Sequence, residues 1–520
     1  MEKKKISRIV SLFLAFLLIA PFMSSCGNDQ ADKNDKDTDQ NTNDTQTDLE
    51  DDPFSNFDYK GKTLVISNSI GIDESISSNK FIQGPDEYIN EPVQDAVFDR
   101  NLDVMKRLNI NIEYNKTEYD YDEVAGNIRT MINSGDTSTH LIINDIWGLA
   151  PITPEGLFHN ANDAEYFDFS QPWWYDDFMN DISIKSELRF IVASDYFMDI
   201  LRSTHFVLMN KDMYNDHFGN ADKIYDEVNN REWTMDKLLE YIDDLYLDVN
   251  SDGLYDKYDK YGLLSTSVWG SCIPLAIGGD PGFIERDDAG YPKITLNNER
   301  AVLLFEKIDK VLNNKSSTIM IGERELERYV DDGEDINIFT DNRALFWTGN
   351  TFSMLEKDIR NSDTEFAVLP YPMLDENQKD YVSTPHDTVE CGFIPVTISF
   401  DDLNFVSAFL EVMSRETYKQ ILPVYYESTL KVRYTRDQKS AQMIDIIHDH
   451  YGNSFALAYS YGLNGIFLRG TFCLPIMNGG GGSFTSAYKS LERSANKILS
   501  IMIDNCEAMY QSSYANKKQN

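Results

Sequence analysis

The sequence has few of the residues that build metal and redox centres. Its 520 residues include only 5 cysteines and 7 histidines, and no two cysteines stand in CxxC spacing. The number and spacing of these residues show no zinc-binding motif and no thiol redox motif. The metalloprotease motif HExxH and the nucleophile motif GxSxG are also absent. The sequence therefore shows no catalytic motif of these common hydrolase families.

Basic residues are also scarce. The chain has 47 Lys and Arg against 86 Asp and Glu, which gives a formal net charge of -39. This balance argues against a nucleic-acid partner, because proteins bind the phosphate backbone through Lys and Arg that displace its counterions. It also disfavours direct docking on anionic lipid. We interpret most of the acidic residues as a solvated surface that keeps the protein soluble.

The apolar stretch Ile9–Phe22 falls short of the roughly 20 residues that a membrane span needs. It follows a basic start, Lys3 to Arg8, and it is followed by Met23-Ser-Ser-Cys26. A basic start, an apolar centre and small residues at the end are typical of a secretory signal. The segment resembles a bacterial lipoprotein signal, which implies cleavage before Cys26 and attachment of fatty acyl chains such as palmitate to Cys26. An ordinary signal peptide is the alternative.

Residues 26–57 follow this signal peptide of residues 1–25 and are almost entirely polar and acidic up to Asp52. Such a segment stays disordered because no apolar burial offsets the entropy lost on ordering. As a flexible coil it would reach about 30 Å. The sequence therefore predicts an extracytoplasmic bacterial protein that is lipid-anchored to the cell membrane through a disordered acidic tether.

The pattern after the tether is typical of a parallel α/β sheet. Strands are predicted at Thr63–Ser67, Asn109–Tyr114 and Leu141–Ile143, with amphipathic helices between them. Ligands of such sheets bind outside the carboxyl ends of the strands. Asp145 and Trp147 directly follow the third strand, so we expect both side chains to project into a ligand crevice.

With 520 residues, of which 42% are hydrophobic, the chain is larger than one typical domain. We therefore expect two lobes. The predicted boundaries are 58–197 for the first part of lobe 1, 198–388 for the first part of lobe 2, 389–455 for a return to lobe 1, and 456–520 for lobe 2 or a C-terminal helical segment.

Residues 248–259 match the spacing of a calcium-binding loop. Calcium prefers six to eight oxygen ligands, and DxNxDG places side-chain oxygens at alternate positions around a glycine turn. The expected ligands are Asp248, Asn250, Asp252, the backbone carbonyl of Leu254, Asp256 and Asp259. The twelfth position departs from the EF-hand pattern because it carries Asp instead of Glu. We expect a structural Ca²⁺ here and no catalytic cofactor; the alternative is a polar surface turn.

The four cysteines that follow Cys26 are widely spaced. They are Cys272, Cys391, Cys473 and Cys506. Outside the cytosol they allow three disulfide connectivities. A chain of this size does not need disulfides for stability, so each cysteine is equally explained as a small core residue.

Several segments, in this order, resemble the extracellular solute-binding proteins of ABC transporters, family 1, in the sugar-binding lipoprotein type of clostridia. They are VLMNKDMY, EWTMDKLLEYIDDL, DVNSDGLYDKYDKYGL and LAIGGDPGFIERDDAGYPKITLNNERA, followed by Arg343-Ala-Leu-Phe-Trp347 and Val389-Glu-Cys-Gly-Phe-Ile-Pro395. The resemblance implies the type II periplasmic-binding-protein fold, in which two α/β lobes are joined by a hinge and a ligand cleft lies between them.

The resemblance also implies a function without catalysis. A monomer would capture a small polar solute, most often a mono- or oligosaccharide, by lobe closure and would deliver it to an ABC permease. The implied ligand-binding residues are Asp145, Trp147, Asp195, Trp269 and Trp347, where the rings stack on sugar faces and the acids accept hydroxyl hydrogen bonds. Two alternatives stay open from the residues alone: a secreted glycan-active hydrolase and a sensory solute receptor without a permease.

Overall fold

The computed structural model describes residues 53–69, 79–117, 121–243, 245–265, 268–321, 329–330, 335–352, 363–426, 438–477 and 482–517. The predicted signal peptide, Cys26 and nearly all of the predicted tether lie outside these residues. Among the described residues, no helix combines the length and the apolar character needed to cross a bilayer.

The strands of the described residues, in chain order, are β1 (Lys62–Ser69), β2 (Ile110–Thr117), β3 (Leu141–Asp145), β4 (His205–Asn210), β5 (Tyr261–Ser265), β6 (Ile284–Arg286), β7 (Pro292–Ile294), β8 (Thr318–Ile321), β9 (Tyr329–Val330), β10 (Ala344–Thr351), β11 (Phe366–Leu369) and β12 (Glu390–Phe393).

The α-helices of the described residues are α1 (Asn79–Ile82), α2 (Pro92–Leu108), α3 (Tyr121–Asn133), α4 (Ile146–Leu149), α5 (Asp176–Ile182), α6 (Asp199–Arg202), α7 (Lys211–Phe218), α8 (Lys223–Asn229), α9 (Met235–Ile242), α10 (Val268–Gly278), α11 (Glu299–Leu312), α12 (Asp335–Thr340), α13 (Phe400–Glu416), α14 (Leu422–Tyr425), α15 (Gln438–Asp449), α16 (Ser454–Tyr459), α17 (Leu474–Met477) and α18 (Phe484–Lys517).

The first sheet has four strands in the order β12-β3-β1-β2. Strands β1, β2 and β3 are parallel, and β12 pairs antiparallel with β3 at the edge. The three predicted strands at the start of the chain and the helices between them are therefore confirmed. Strand β12 reaches this sheet only after the chain has passed through the second one, so two distant parts of the sequence build the first lobe.

Helix α2 shows why the local pattern was readable. It begins at Pro92, whose missing N–H costs nothing in the first turn, and it ends at Leu108, where Asn109 caps it with a left-handed φ of 51°. Its apolar residues recur at helical spacing, and Val97, Val104 and Leu108 are buried in the core. The periodicity of the sequence thus fixed both the helix and its inner face.

The second sheet has six strands in the order β11-β4-β10-β5-β8-β9. Strand β4 runs antiparallel to both β10 and β11, whereas β10, β5, β8 and β9 are mutually parallel. All six strands come from residues between His205 and Leu369. The two sheets form the cores of two α/β lobes, which confirms the predicted fold class.

The chain passes from one sheet to the other between β3 and β4 and again between β11 and β12. The connecting segments touch each other, because an isolated bridge joins Thr204 to Pro385, and a second bridge joins Val192 of the first connection to Gly392 of β12. A hydrogen bond also runs from the amide of Glu390 to Asp199 Oδ2 (2.7 Å). The predicted hinge would lie in these crossing segments.

The C-terminal region packs against both lobes. The ring centroid of Phe484, at the start of α18, lies 6.2 Å from that of Phe305 of α11 in the second lobe. In the first lobe, Met509 of α18 approaches Gly156, and Gly462 approaches Pro151. The segment from α16 to α18 therefore spans the junction of the two lobes.

Candidate functional site

Asp145 is the last residue of β3 and caps the N-terminus of α4. Its Oδ1 accepts a hydrogen bond from the backbone N–H of Gly148 (2.6 Å). The side chain is buried, at 6% exposure. Burial raises the pKa of Asp145 to about 6, although the bond from Gly148 acts in the opposite direction, and the nearby carboxylate of Asp387 raises this pKa further.

His386 and Asp387 lie between β11 and β12, where the chain crosses back to the first lobe. Nδ1 of His386 is 2.9 Å from Oδ1 of Asp387. Both side chains are surrounded by protein, yet 44% and 24% of their side-chain surfaces stay accessible. Side chains that are enclosed and still accessible line a cleft. Burial lowers the pKa of His386, but Asp387 outweighs it, and Asp199 and Asp145 add to the net upward shift.

The second lobe contributes to the same cluster through His205, the first residue of β4. The rings of His205 and His386 have centroids 5.5 Å apart, and the ring of His205 lies edge-on to Tyr371 at 6.4 Å. The hydroxyl of Tyr371 accepts a hydrogen bond from the N–H of Gly349 (2.8 Å). We call Asp145, His386, Asp387 and His205 the junction cluster, since residues from both sheets and from the crossing segment meet there.

Trp147 stands in α4, directly after the carboxyl end of β3, as the sequence predicted. Its ring stacks on Tyr461 with centroids 4.0 Å apart and an interplanar angle of 28°. Trp147 is half-buried and Tyr461 is 44% exposed. The first lobe therefore presents an aromatic pair beside the junction cluster.

Trp269 has the corresponding position in the second lobe, since it stands in the first turn of α10, soon after the carboxyl end of β5. It is half-buried, and the guanidinium carbon of Arg469 lies 5.4 Å from its ring centroid. Arg469 begins a short π-helical turn that ends at Cys473. Burial raises the pKa of the Cys473 thiol, and nearby Cys272 and Asp387 raise it further, so this turn lies close to the junction cluster.

The other two predicted ligand residues are buried away from solvent. Trp347 is 2% exposed and packs against Phe339 with ring centroids 5.5 Å apart. Phe339 belongs to helix α12, which packs on this face of the second sheet and covers the ring. Asp195 is 4% exposed at the start of a 3₁₀ turn. Neither side chain offers surface to a solute in this conformation.

The predicted calcium site at residues 248–259 is not supported by the geometry of the loop. Among the described residues, no group of three or more His, Cys, Asp or Glu side chains is arranged so that it could hold a metal ion. Asp259 is fully buried and accepts hydrogen bonds from Val249 N–H (3.1 Å) and the hydroxyl of Tyr246 (3.0 Å). Asp248 Oδ2 accepts one from Gly253 N–H (2.9 Å). These carboxylates hold the loop's own backbone and a neighbouring tyrosine.

The four cysteines of the described residues are buried free thiols. Their burial agrees with the interpretation of each cysteine as a small core residue. Cys272 is a neighbour of Cys473, so the structure favours the connectivity that pairs these two cysteines over the other two that the sequence left open.

Sequence reasoning missed His205, His386, Asp387, Tyr461 and Arg469. No spacing or periodicity links these residues, because they come from three separate parts of the chain. Only the pair His386-Asp387 carried a signal, since two titratable residues stand just before a predicted strand that returns to the first lobe.

Comparisons with known proteins bear on the fold. No protein-family model and no curated protein matched the chain. Among solved structures, an ABC transporter solute binding protein from Agrobacterium radiobacter in complex with ribitol matches with a TM-score of 0.50 at 11% identity, over 85% of this chain and 99% of that one. A Thermotoga lettingae ABC transporter solute binding protein bound with alpha-D-tagatose matches with a TM-score of 0.49 at 13% identity, over 85% and 100% of the two chains. The match to the Agrobacterium protein confirms the predicted resemblance at the level of fold: this chain has the fold of an ABC transporter solute-binding protein.

Proposed function

We propose that this protein is an extracytoplasmic solute receptor that captures a small polar molecule between its lobes and delivers it to an ABC permease. The observation that carries the proposal is the junction cluster, in which the first lobe supplies Asp145, the second supplies His205 and the crossing segment supplies His386 and Asp387. His205 is itself buried, so a solute would contact the accessible side chains of His386 and Asp387 and the half-buried rings of Trp147 and Trp269 on the two lobes. These contacts stabilise the closed form because the open form lacks some of them. Only such a difference in affinity moves a conformational equilibrium.

The chemistry of the cleft favours a mono- or oligosaccharide. Trp147 and Trp269 are half-buried rings, one on each lobe, and a ring that covers the C–H face of a pyranose removes apolar surface from water at about 25 cal/mol per Å². Carboxylates such as Asp145 and Asp387 accept charge-assisted hydrogen bonds from hydroxyls. Together such terms reach the roughly 8 kcal/mol of a micromolar site. The protein acts as a monomer and releases its solute chemically unchanged.

The proposed attachment to the membrane follows from the sequence before residue 53. Acyl chains on Cys26 would hold the receptor at the outer face of the membrane, and the acidic tether would let it reach a permease. Replacement of Cys26 by Ser is expected to release the mature protein from cells into the medium, whereas the wild type stays with the membrane fraction. A wild-type protein that washes freely off cells would contradict the anchor.

A thermal-shift screen with mono- and oligosaccharides tests the binding function. A ligand that binds only the folded state stabilises it in proportion to ln(1 + [L]/Kd), so a true solute raises the melting temperature in a dose-dependent way. Product analysis after incubation with each hit distinguishes a receptor from a hydrolase. If no saccharide shifts the transition while a library of peptides or polyamines does, the proposed solute class is wrong.

A further inference from the structure

Arg469 is placed on the aromatic platform of the second lobe. Its guanidinium carbon lies 5.4 Å from the ring centroid of Trp269, and both side chains are partly accessible. Arginine stacked on an indole face gains cation–π attraction while its N–H donors stay directed outward. The platform therefore combines an apolar face with a planar, permanently charged group.

Arg469 is exposed and, within the part of the chain that the structure describes, has no carboxylate partner to neutralise its charge. Seven other arginines of the described residues lie at ion-pair distance from a carboxylate: Arg107, Arg129, Arg189, Arg202, Arg300, Arg343 and Arg415. Arg469 has no carboxylate at such a distance among the described residues. In a protein with a net charge of -39, acidic side chains are plentiful, so a cation that stays without one beside the cleft is available to a ligand.

We propose that Arg469 is a specificity residue that selects an acidic saccharide, a uronic acid or its oligomers, over the neutral sugar. This inference rests on the proposed function. A guanidinium binds a carboxylate through two parallel N–H···O bonds, a geometry that a hydroxyl group cannot reproduce. A pyranose that lies on Trp269 would place the carboxylate at its ring edge within reach of Arg469.

The opposite side of the cleft fixes the orientation of such a solute. Asp145 and Asp387 in the junction cluster repel a carboxylate but accept hydrogen bonds from hydroxyls. An acidic sugar would therefore turn its carboxylate toward Arg469 and its hydroxyl edge toward the junction cluster. A neutral sugar lacks the first of these two contacts and binds more weakly.

Isothermal titration calorimetry with galacturonate, oligogalacturonates and the matching neutral galactose compounds tests this inference. We expect the wild type to bind at least one acidic compound at least tenfold more tightly than its neutral counterpart, with an affinity that falls as salt rises. Arg469→Gln should weaken acidic binding at least tenfold and leave neutral binding unchanged. Arg469→Lys should fall between them, since it keeps the charge but loses the two-pronged geometry.

Arg493→Gln is the matched control, because it removes the same charge from an exposed position on α18. It should bind like the wild type. Neutral sugars that bind as tightly as acidic ones, or acidic binding that survives Arg469→Gln, would overturn the role of Arg469 while the receptor function stands. Binding of no saccharide of either kind would overturn the receptor function for sugars and the inference with it.

Discussion

The buried carboxylate of Asp145 is expected to destabilise the folded protein at neutral pH. Burial raises its pKa from 3.8 to about 6, so the folded protein disfavours the ionised form that the unfolded chain prefers. At about 1.4 kcal/mol for each factor of ten in proton affinity, the ionised Asp145 destabilises the folded state by about 3 kcal/mol. This penalty is absent below pH 3.8, develops as the pH rises from about 4 through 6, and is complete above pH 7.

Asp145→Asn removes the charge and keeps the cap, because the amide oxygen can still accept the hydrogen bond from Gly148. The new NH₂ group costs about 1 kcal/mol where it finds no acceptor. We therefore expect the variant to be more stable than the wild type by about 2 kcal/mol at pH 8. The difference should vanish or reverse near pH 4, where the wild-type carboxyl is also neutral on folding.

Urea unfolding of both proteins between pH 4 and 8 measures this difference, and groups that titrate alike in both proteins cancel. Asp226→Asn, at an exposed position on α8, is the control and should show no such pH dependence. A difference that is constant with pH, or an Asp145→Asn variant that is less stable than the wild type at pH 8, would refute the reasoning. If Asp145 also binds the solute, the stabilised variant should bind it more weakly.

Five further substitutions test the placement of single residues. Gly392→Ala should destabilise the fold by about 1–3 kcal/mol, because the new Cβ would lie 2.7–2.8 Å from the side chains of Val192 and Phe197. Gly126→Ala lies in helix α3, where the new Cβ meets no atom within 4 Å, and it should stabilise the fold by about 0.5–1 kcal/mol. Arg100→Lys should cost about 2 kcal/mol in urea unfolding, since the buried guanidinium donates to two carbonyls and two side-chain oxygens that an ammonium cannot all reach. Trp347→Ala should cost about 3–5 kcal/mol in stability, whereas Trp147→Ala should leave the melting temperature nearly unchanged and weaken saccharide binding at least tenfold. Equal melting temperatures of the two tryptophan variants would contradict their different placement.

The elements of the first sheet were predictable because each is encoded locally. One of the helices predicted between the first strands is α3, and the predicted strand at Leu141–Ile143 is the core of β3. Apolar periodicity decides a helix or a strand within about ten residues of chain. The position of Asp145 and Trp147 followed from the same local reading, because residues just after a strand lie at its carboxyl end wherever that strand is placed.

In the second lobe, the burial of individual side chains could not be predicted from the local sequence. Trp269 and Trp347 both stand in or directly after a strand segment, and the sequence gives no sign that one ring lies near the surface and the other in the core. Trp347 is buried because helix α12 packs on its face of the sheet and sets Phe339 against the ring, which is a property of tertiary packing. The acidic loop at 248–259 is similar, since its spacing fits calcium but its carboxylates bond to the loop's own backbone.

The sequence alone determined the α/β class, the first strands with the helices between them, and the place of Asp145 and Trp147 at the carboxyl end of β3, because short-range patterning can be read without knowledge of the tertiary structure. Tertiary structure alone decided the junction cluster and the contacts of Tyr461 and Arg469 with the two tryptophans. Those contacts join residues hundreds of positions apart, and they exist only because the chain crosses between two sheets and its C-terminal segment packs across both. Burial, and with it the pKa of Asp145, is a property of that packing and cannot be read from neighbours in sequence.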